Sequence, residues 1–385
     1  MVTITIDGVT LEARDGATIL EVARENHIDI PTLCYLREIN EIGACRVCLV
    51  EVEGIDHLVA ACNNRVEAGM VIHTDTPRVR RARVANLQLI LSRHDRRCPT
   101  CFRNGTCQLQ ALADRMSVHE VPYTTLFETK PIDARFPLVR EPEKCINCLR
   151  CVSTCQKVQE LGVWDLVDSG SRAHVDAVAE DACAYCGQCI VNCPTGALHE
   201  RDDTAPVFDA INDPDKIVIA QVAPAVRSSW AEGLDLGGKA PTTGRMVAAI
   251  RRLGFDYVFD TDSPPTSPSW RGERAHRSTS STASRAPCSP RAARAGYAYQ
   301  DAPPRACRQA LHHQVATADF GALAKTYYAQ LLDVDPSRIY VVSYMPCVAK
   351  KMEAAYPGMD SSGTGADVDT VLTVRELTRQ LRSRL

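Results

Sequence analysis

No apolar run in the 385-residue chain approaches the roughly 20 residues that a membrane-spanning helix needs, and no Gly-rich dinucleotide fingerprint occurs in it. The first absence argues against a membrane span. The second means that if NAD(P) is used, another subunit binds it. Charge of one sign is scarce as well: 44 Lys and Arg against 47 Asp and Glu leave a formal net charge of -3 and no large basic face, so nucleic acid is not implied. The opening MVTITIDGVT carries neither an export-type charged and apolar pattern nor a twin arginine, which makes a cytoplasmic location the expectation.

Cysteine is abundant: there are 18, and all but Cys288, Cys307 and Cys347 precede residue 194. In an exported chain that number would suggest disulfides; at cluster-type spacings it points to a reducing compartment where thiolates survive. The tightest pattern is Cys145-x2-Cys148-x2-Cys151-x3-Cys155, repeated as Cys183-x2-Cys186-x2-Cys189-x3-Cys193 with Pro194 following. This is the bacterial two-cluster ferredoxin run, in which three close thiolates wrap one 4Fe-4S cube and the fourth ligand crosses over. By that rule Cys145, Cys148, Cys151 and Cys193 hold one cube, and Cys183, Cys186, Cys189 and Cys155 the other. Gln156 stands where the repeat would place proline. A pair of zinc sites is the alternative.

Upstream, Cys34, Cys45, Cys48 and Cys62 suit a 2Fe-2S cluster, with Gly43 and Ala44 small enough for backbone to close around it. Val2 to Ile6 alternates as a strand, Asp7-Gly8 reads as a hairpin turn, and Thr18 caps an apolar-periodic stretch from Ile19 to Asn26. Val47 to Glu53 and Met70 to Thr74 read as further strands. The whole resembles a small ubiquitin-like ferredoxin; buried structural thiols are the bland alternative. Between the modules, His94-x3-Cys98-x2-Cys101-x5-Cys107 follows a helical stretch, Arg78 to Arg93. Imidazole can replace one thiolate on a cluster iron and shifts the potential by removing a negative charge. A zinc site, or an exposed helix-end histidine, competes with that reading.

The last third has α/β texture: strands Ile217 to Val222, Asp256 to Asp260 and Arg338 to Ser343, and helices Gly244 to Leu253, Asp319 to Leu332 and Val374 to Ser383. Parallel strands are expected, with any ligand at their carboxyl ends. The strand Arg338 to Ser343 leads into Tyr344-Met345-Pro346-Cys347-Val348-Ala349-Lys350-Lys351-Met352-Glu353, which places Cys347 there as a candidate ligand or nucleophile.

The order of a 2Fe-2S module, a one-His-three-Cys module, a two-cluster module and then Met-Pro-Cys-x2-Lys-x2-Glu resembles the iron-only (diiron) hydrogenases. Ala223 to Arg227, Phe255 to Asp262 and Gly321 to Ala329 extend the resemblance, which covers residues 1–262 and 318–385. It implies H2 and protons as substrates, one 2Fe-2S and three 4Fe-4S clusters, and an H-cluster. Cys347 would be one of four cysteines on the 4Fe-4S half of the H-cluster, and Lys350 would hydrogen-bond a cyanide on the diiron half. Pro224, Ala225, Met345 and Pro346 would line the same pocket, and Glu353 would be a supporting acid. Expected partners are a ferredoxin or a flavin-containing NAD(P)H-oxidising subunit. Residues 1 to about 200 also resemble the cluster-bearing large subunit of NADH dehydrogenases, which leaves an electron-transfer subunit or an inactive cluster-binding fragment as alternatives.

The pattern breaks over 263–317, a stretch rich in Ser, Pro, Arg and Ala whose composition predicts disorder. The family's Thr-Ser-Cys-Cys-Pro segment is missing there. Family-like sequence ends at Asp262 and resumes near Asp319 at about the expected separation, which points to a shifted reading frame; a true insertion is the alternative, but it would leave the segment elsewhere in the chain, and it is nowhere. The sequence also stops at Leu385, before the family segment that supplies the last two H-cluster ligands. The expected architecture is α+β and multidomain: 1–77 a ubiquitin-like 2Fe-2S ferredoxin, 78–117 a one-His-three-Cys domain, 138–205 a two-cluster 4Fe-4S ferredoxin, and 215–385 a partial α/β hydrogenase domain.

Overall fold

In a computed structural model of the chain, residues 1–124, 131–134, 137–238, 240–261 and 316–384 are described. They fall into two compact units, residues 1–183 with 188–199, and residues 184–187 with 200 onward. Apart from residues 184–187, the three cluster-type segments fall within the first unit. The expected disorder over 263–317 lies outside the described residues, except that Ala316 and Thr317 already belong to the helix Ala316–Leu323.

In the first unit, β1 (Val2–Ile6) buries Ile4 and Ile6 on one face, as a period of two requires. It turns at Asp7-Gly8, both at positive φ (48° and 83°), into the antiparallel β2 (Val9–Ala13). A two-residue hairpin favours that backbone because its twist matches the strands. With β3 (Leu49–Val52), β4 (Val59–Ala60) and β5 (Val71–His73) these strands form one sheet in the order β2-β1-β5-β3-β4. The helix Ile19–Glu25 opens on a capping box between Thr18 and Glu21 and buries Ile19, Leu20, Val22 and Ala23 in the sheet's core. β3 starts two residues later than the sequence suggests: Val47 and Cys48 belong to the cysteine loop, where Arg46 takes φ 53°.

The helix Pro77–Ser92, capped by Thr76 with proline at its first position, delivers His94 two residues past its end. Beyond it, β6 (Leu138–Arg140) pairs with β9 (Leu198–Glu200), whose last residue opens the second unit, and β7 (Trp164–Val167) pairs with β8 (His174–Ala177). The two cysteine repeats share one backbone pattern. Asn147 and Leu149 in the first, and Tyr185 and Gly187 in the second, all have positive φ, between 50° and 76°. A left-handed Leu or Tyr costs roughly 1–2 kcal/mol, which the surrounding packing must offset in both repeats.

The second unit is built on a four-stranded sheet in the order β11-β10-β12-β13, with β10 (Ile217–Val222), β11 (Tyr257–Asp260), β12 (Ile339–Met345) and β13 (Thr370–Thr373) all parallel. Its central strands are buried, as a parallel sheet requires. Val207 and Ala210, Met246 and Ile250, and Leu377 and Leu381, from the helices Thr204–Asn212, Thr243–Leu253 and Val374–Arg384, join its core. β12 runs two residues further than expected, so Tyr344 and Met345 are sheet residues. The helical run expected over 319–332 carries a π-turn, Ala324–Tyr328. It buries Lys325, whose Nζ lies 2.8 Å from Asp369 Oδ1 and 2.7 Å from the Ala366 carbonyl. No helix among the described residues is long and apolar enough to cross a membrane.

Candidate iron-sulfur sites and the carboxyl edge of the second sheet

All sixteen cysteines among the described residues are free thiols. Cys34, Cys45, Cys48 and Cys62 come together at the loop before β3, in two pairs. Cys34 hydrogen-bonds Cys45, which drops the Cys45 thiol to about 6 and raises Cys34; Cys62 likewise hydrogen-bonds Cys48, lowering it. The Cys45 N–H also donates to Cys34 Sγ at 3.5 Å. Two pairs of sulfurs are what two irons sharing bridging sulfides require. Among the described residues, no three His, Cys, Asp or Glu side chains converge as a single metal ion would need.

Cys145, Cys148, Cys151 and Cys193 line one cavity, together with Ile146, Leu149, Trp164, Val175 and Leu198. These are the four thiolates that the crossover rule assigns to one cube. The surroundings are almost wholly apolar. Burial first, and then repulsion from the neighbouring cysteine sulfurs, pushes Cys145 up to about 11, Cys148 up to about 12, and Cys151 higher still. Such thiols hold their protons until a metal displaces them. The backbone N–H groups of Asn147 and Arg150 donate toward Cys145 and Cys148, offsetting part of that burial. Of the other set, Cys155 and Cys189 are buried, Cys183 and Cys186 are half-buried, and the Val163 N–H donates to Cys155 Sγ at 3.4 Å. Cys186 falls within 184–187, the segment grouped with the second unit.

His94 is 7% exposed, which rules out an exposed helix-end role. Burial holds its imidazole at about 4, hence neutral, the form that ligates metal. The Lys144 carbonyl accepts a hydrogen bond from the ring, while Nδ1 is buried with no partner. A carbonyl on one ring nitrogen and a free lone pair on the other is the usual setting of a metal-bound histidine. Cys98, Cys101 and Cys107 are half-buried; the Leu109 and Gln110 N–H groups donate toward Cys107.

Sequence reasoning missed the residues that fasten these modules together. Arg103 Nη2 donates to the Cys193 and Ile190 carbonyls at 2.8 and 3.0 Å, and the Gln108 N–H donates to the Pro194 carbonyl at 3.0 Å. A Cβ on Gly196 would stand 2.7 Å from Cys101 Sγ. Glycine is needed there for close approach, since its φ is not positive. Gly196→Ala is accordingly expected to displace Cys101 and remove about four irons per chain, as read by iron analysis and low-temperature EPR. A variant with full iron and unchanged signals would refute this. Buried Asn40 Nδ2 donates to the Cys34 and Cys148 carbonyls at 2.7 and 2.9 Å, tying the first cysteine loop to the ferredoxin repeat.

In the second unit, the expected residues do meet at the carboxyl edge. Val222 of β10 lies opposite Tyr344 of β12, and the Ala223 N–H donates to the Tyr344 carbonyl at 3.0 Å. Pro224 and Ala225 thus leave the sheet beside Pro346 and Cys347. Thr261, following β11, donates from Oγ1 to the Val222 carbonyl at 2.9 Å. Met345 is buried and Cys347 half-buried, but Pro224, Ala225 and Pro346 are exposed rather than lining a pocket. They sit in turns past the strand ends that the described residues do not roof. Lys350 Nζ is 2.6 Å from Glu353 Oε1, so its charge is committed to that acid. Glu353 is 3% exposed, its second carboxylate oxygen has no partner, and burial raises its carboxyl against the pull of Lys350. The neighbouring Lys351, also missed, is more deeply placed. It lies 2.8 Å from Glu376 and 2.7 Å from Asp203.

Comparison with known families places all four segments. The iron only hydrogenase large subunit, C-terminal domain, matches residues 216–384, and a 2Fe-2S iron-sulfur cluster binding domain matches residues 1–77. The NADH-ubiquinone oxidoreductase-G iron-sulfur binding region matches residues 83–122, and a 4Fe-4S dicluster domain matches residues 144–197. The NADP-reducing hydrogenase subunit HndD of Solidesulfovibrio fructosivorans is 40% identical, over 99% of this chain and 68% of that protein. Iron hydrogenase 1 of Clostridium pasteurianum is 33% identical, over 99% and 68%. The mitochondrial NADH-ubiquinone oxidoreductase 78 kDa subunit of Candida albicans is 32% identical, over 54% of this chain and 32% of that protein.

Proposed function

The chain belongs to the iron-only hydrogenase large-subunit family, and from that premise we propose that residues 1–385 form the electron-relaying part of a hydrogen:acceptor oxidoreductase. Cys34, Cys45, Cys48 and Cys62 would hold one 2Fe-2S cluster; His94, Cys98, Cys101 and Cys107 one 4Fe-4S cluster; the two crossed sets two further cubes. When bound, these clusters supply one-electron redox chemistry. The chain's own residues provide the thiolates, donate backbone N–H groups to the sulfurs and exclude water around Cys145, Cys148, Cys151 and Cys193. The convergence of those four cysteines on one apolar cavity carries the reading.

The described residues at the carboxyl edge of the second sheet do not by themselves supply a complete H-cluster site. Its cubane half takes four thiolates. The described residues offer Cys347 alone there, beside a Lys350 already paired with Glu353. They support no hydrogen-splitting step. A flavin-containing NAD(P)H-oxidising subunit or a ferredoxin is the proposed redox partner. Similarity to the NADP-reducing hydrogenase subunit of Solidesulfovibrio and the lack of a dinucleotide fingerprint in this chain support it. An electron-transfer subunit of the NADH dehydrogenase kind is the second reading, favoured by the Candida relative. The match over 216–384 and the Met345 to Glu353 motif favour the first.

An anaerobically reconstituted polypeptide of residues 1–385 is expected to oxidise a reduced viologen dye in a burst of about four electrons, one per cluster, and then stop. No burst would sink the relay. Sustained hydrogen evolution would overturn the relay-only reading and mean that the chain completes an H-cluster.

A further inference from the structure

Arg150 sits between Cys148 and Cys151 in sequence and is 5% exposed. A buried guanidinium normally pairs with a carboxylate, because an uncompensated interior charge costs several kcal/mol. This one pairs with none among the described residues. Nη1 donates to Gln108 Oε1 at 3.0 Å, Nη2 donates to the Tyr35 carbonyl at 3.1 Å, and Nε is buried with no partner. Burial works against its charge, and the groups that favour it are sulfurs from two different sites: Cys148 and Cys193 of the cavity, and Cys34 and Cys45 of the first loop. Tyr35 and Asn40 hold that loop against the repeat, and Ser153 Oγ donates to Asn40 Oδ1 at 2.8 Å, so the cation is fixed between the two sulfur sets.

We propose that Arg150 is a shared counter-cation for the 2Fe-2S site of Cys34, Cys45, Cys48 and Cys62 and for the cube of Cys145, Cys148, Cys151 and Cys193, raising both reduction potentials together. The proposal rests on the cluster assignment above. Each cluster with its thiolates is an anion that gains one further negative charge on reduction. A fixed cation at both therefore stabilises the reduced form of each. In the transfer between them, one electron leaves the reduced 2Fe-2S cluster and enters the oxidised cube. No proton moves, since a guanidinium keeps its charge. Because both potentials move together, the gap between them, and with it the driving force of that step, is left unchanged. Arg150 is a positioning and tuning residue and touches no substrate.

The test is an EPR-monitored redox titration of the full reconstituted chain. Arg150→Met should raise the oxidised-to-reduced ratio of the 2Fe-2S cluster and of one cube about tenfold at a fixed potential, equal to about 59 mV for a one-electron couple, and leave the other two clusters unmoved. Arg150→Lys should restore most of the shift. Gln108→Glu keeps the arginine and sets a carboxylate at a helix N-terminus beside it, where an acid is tolerated. It should move the same two clusters in the same direction, about threefold because the position is solvent-exposed, and with them the cluster of Cys107, its chain neighbour, leaving only the fourth unmoved. If Arg150→Met loses its iron, Gln108→Glu decides. Full iron content with neither cluster shifted, with only one shifted, or with all four shifted alike would overturn the proposal. A wild-type chain with no clusters would overturn the cluster assignment itself.

Discussion

Cys148→Ala is expected to lower the iron content of the reconstituted chain from about fourteen atoms to about ten, and to leave the 2Fe-2S signal in place. Fourteen follows from two irons in the first site and four in each of three cubes. The cavity of Cys145, Cys148, Cys151 and Cys193 has no spare ligand: its remaining lining is apolar apart from Arg140 and Thr195. Three thiolates would leave one iron of the cube exposed and labile. The 2Fe-2S site should survive because its contact with this residue uses the backbone carbonyl that accepts from Asn40, which alanine retains. Asn40→Ala is the informative companion. It removes a buried amide shared by the Cys34 and Cys148 carbonyls and should weaken both signals. Iron and acid-labile sulfide analysis with EPR reads both variants. Loss of every cluster in Cys148→Ala would mean that the sites assemble as one cooperative body. Substantial bound zinc in the parent chain would remove the basis for both variants.

Lys351→Met is expected to destabilise the second unit by about 3–5 kcal/mol, the usual penalty for breaking a buried ion pair by removing one partner. Glu376 is fully buried and opens the helix Val374–Arg384 as a capping-box acid. Its Oε2 accepts from the Thr373 N–H at 2.7 Å and from Thr373 Oγ1 at 2.8 Å, and its Oε1 accepts from the Asp203 N–H at 2.9 Å. Without Lys351, both Glu376 and Asp203 lose the cation between them. Hydrogen exchange of the β12 and β13 amides measures the loss locally, which matters in a chain of two units. Adding Glu376→Gln should recover part of it. A loss below about 1 kcal/mol in the single variant would mean that water reaches the acid.

Lys350→Met should behave differently. Burial already raises the Glu353 carboxyl, so that acid can take a proton when its cation goes. A carboxyl whose folded value lies above its unfolded one adds stability below the unfolded value and loses it as pH rises through the folded value. Lys350→Met should therefore be most stable in mildly acidic solution and weaken toward neutrality.

Much of this protein is local in its causes. The hairpin at Asp7-Gly8, the cap at Thr18 and the strand Ile217–Val222 were all readable, because a turn, a cap and an apolar run are each set within a dozen residues. β3 and β12 were misjudged by two residues at one end. Apolar runs such as Val47 to Glu53 do not say where a ligand loop stops and sheet pairing begins. The exposure of Pro224, Ala225 and Pro346 was not legible either, since it depends on which chain covers the edge.

By itself, the sequence determined the presence of iron-sulfur-type domains, through thiols at intervals that suit iron-sulfide cores, and the parallel α/β character of the last third. Only the tertiary structure decided that the loop of Tyr35 and Asn40 lies against the first cysteine repeat, with Arg150 bonded to the Tyr35 carbonyl, and that Lys350 pairs with buried Glu353 while Lys351 pairs with buried Glu376 and with Asp203. Those outcomes depend on contacts between residues up to more than a hundred positions apart. Spacing fixes which atoms can share a loop, whereas packing alone fixes which loops share an interior and how their charges are balanced there.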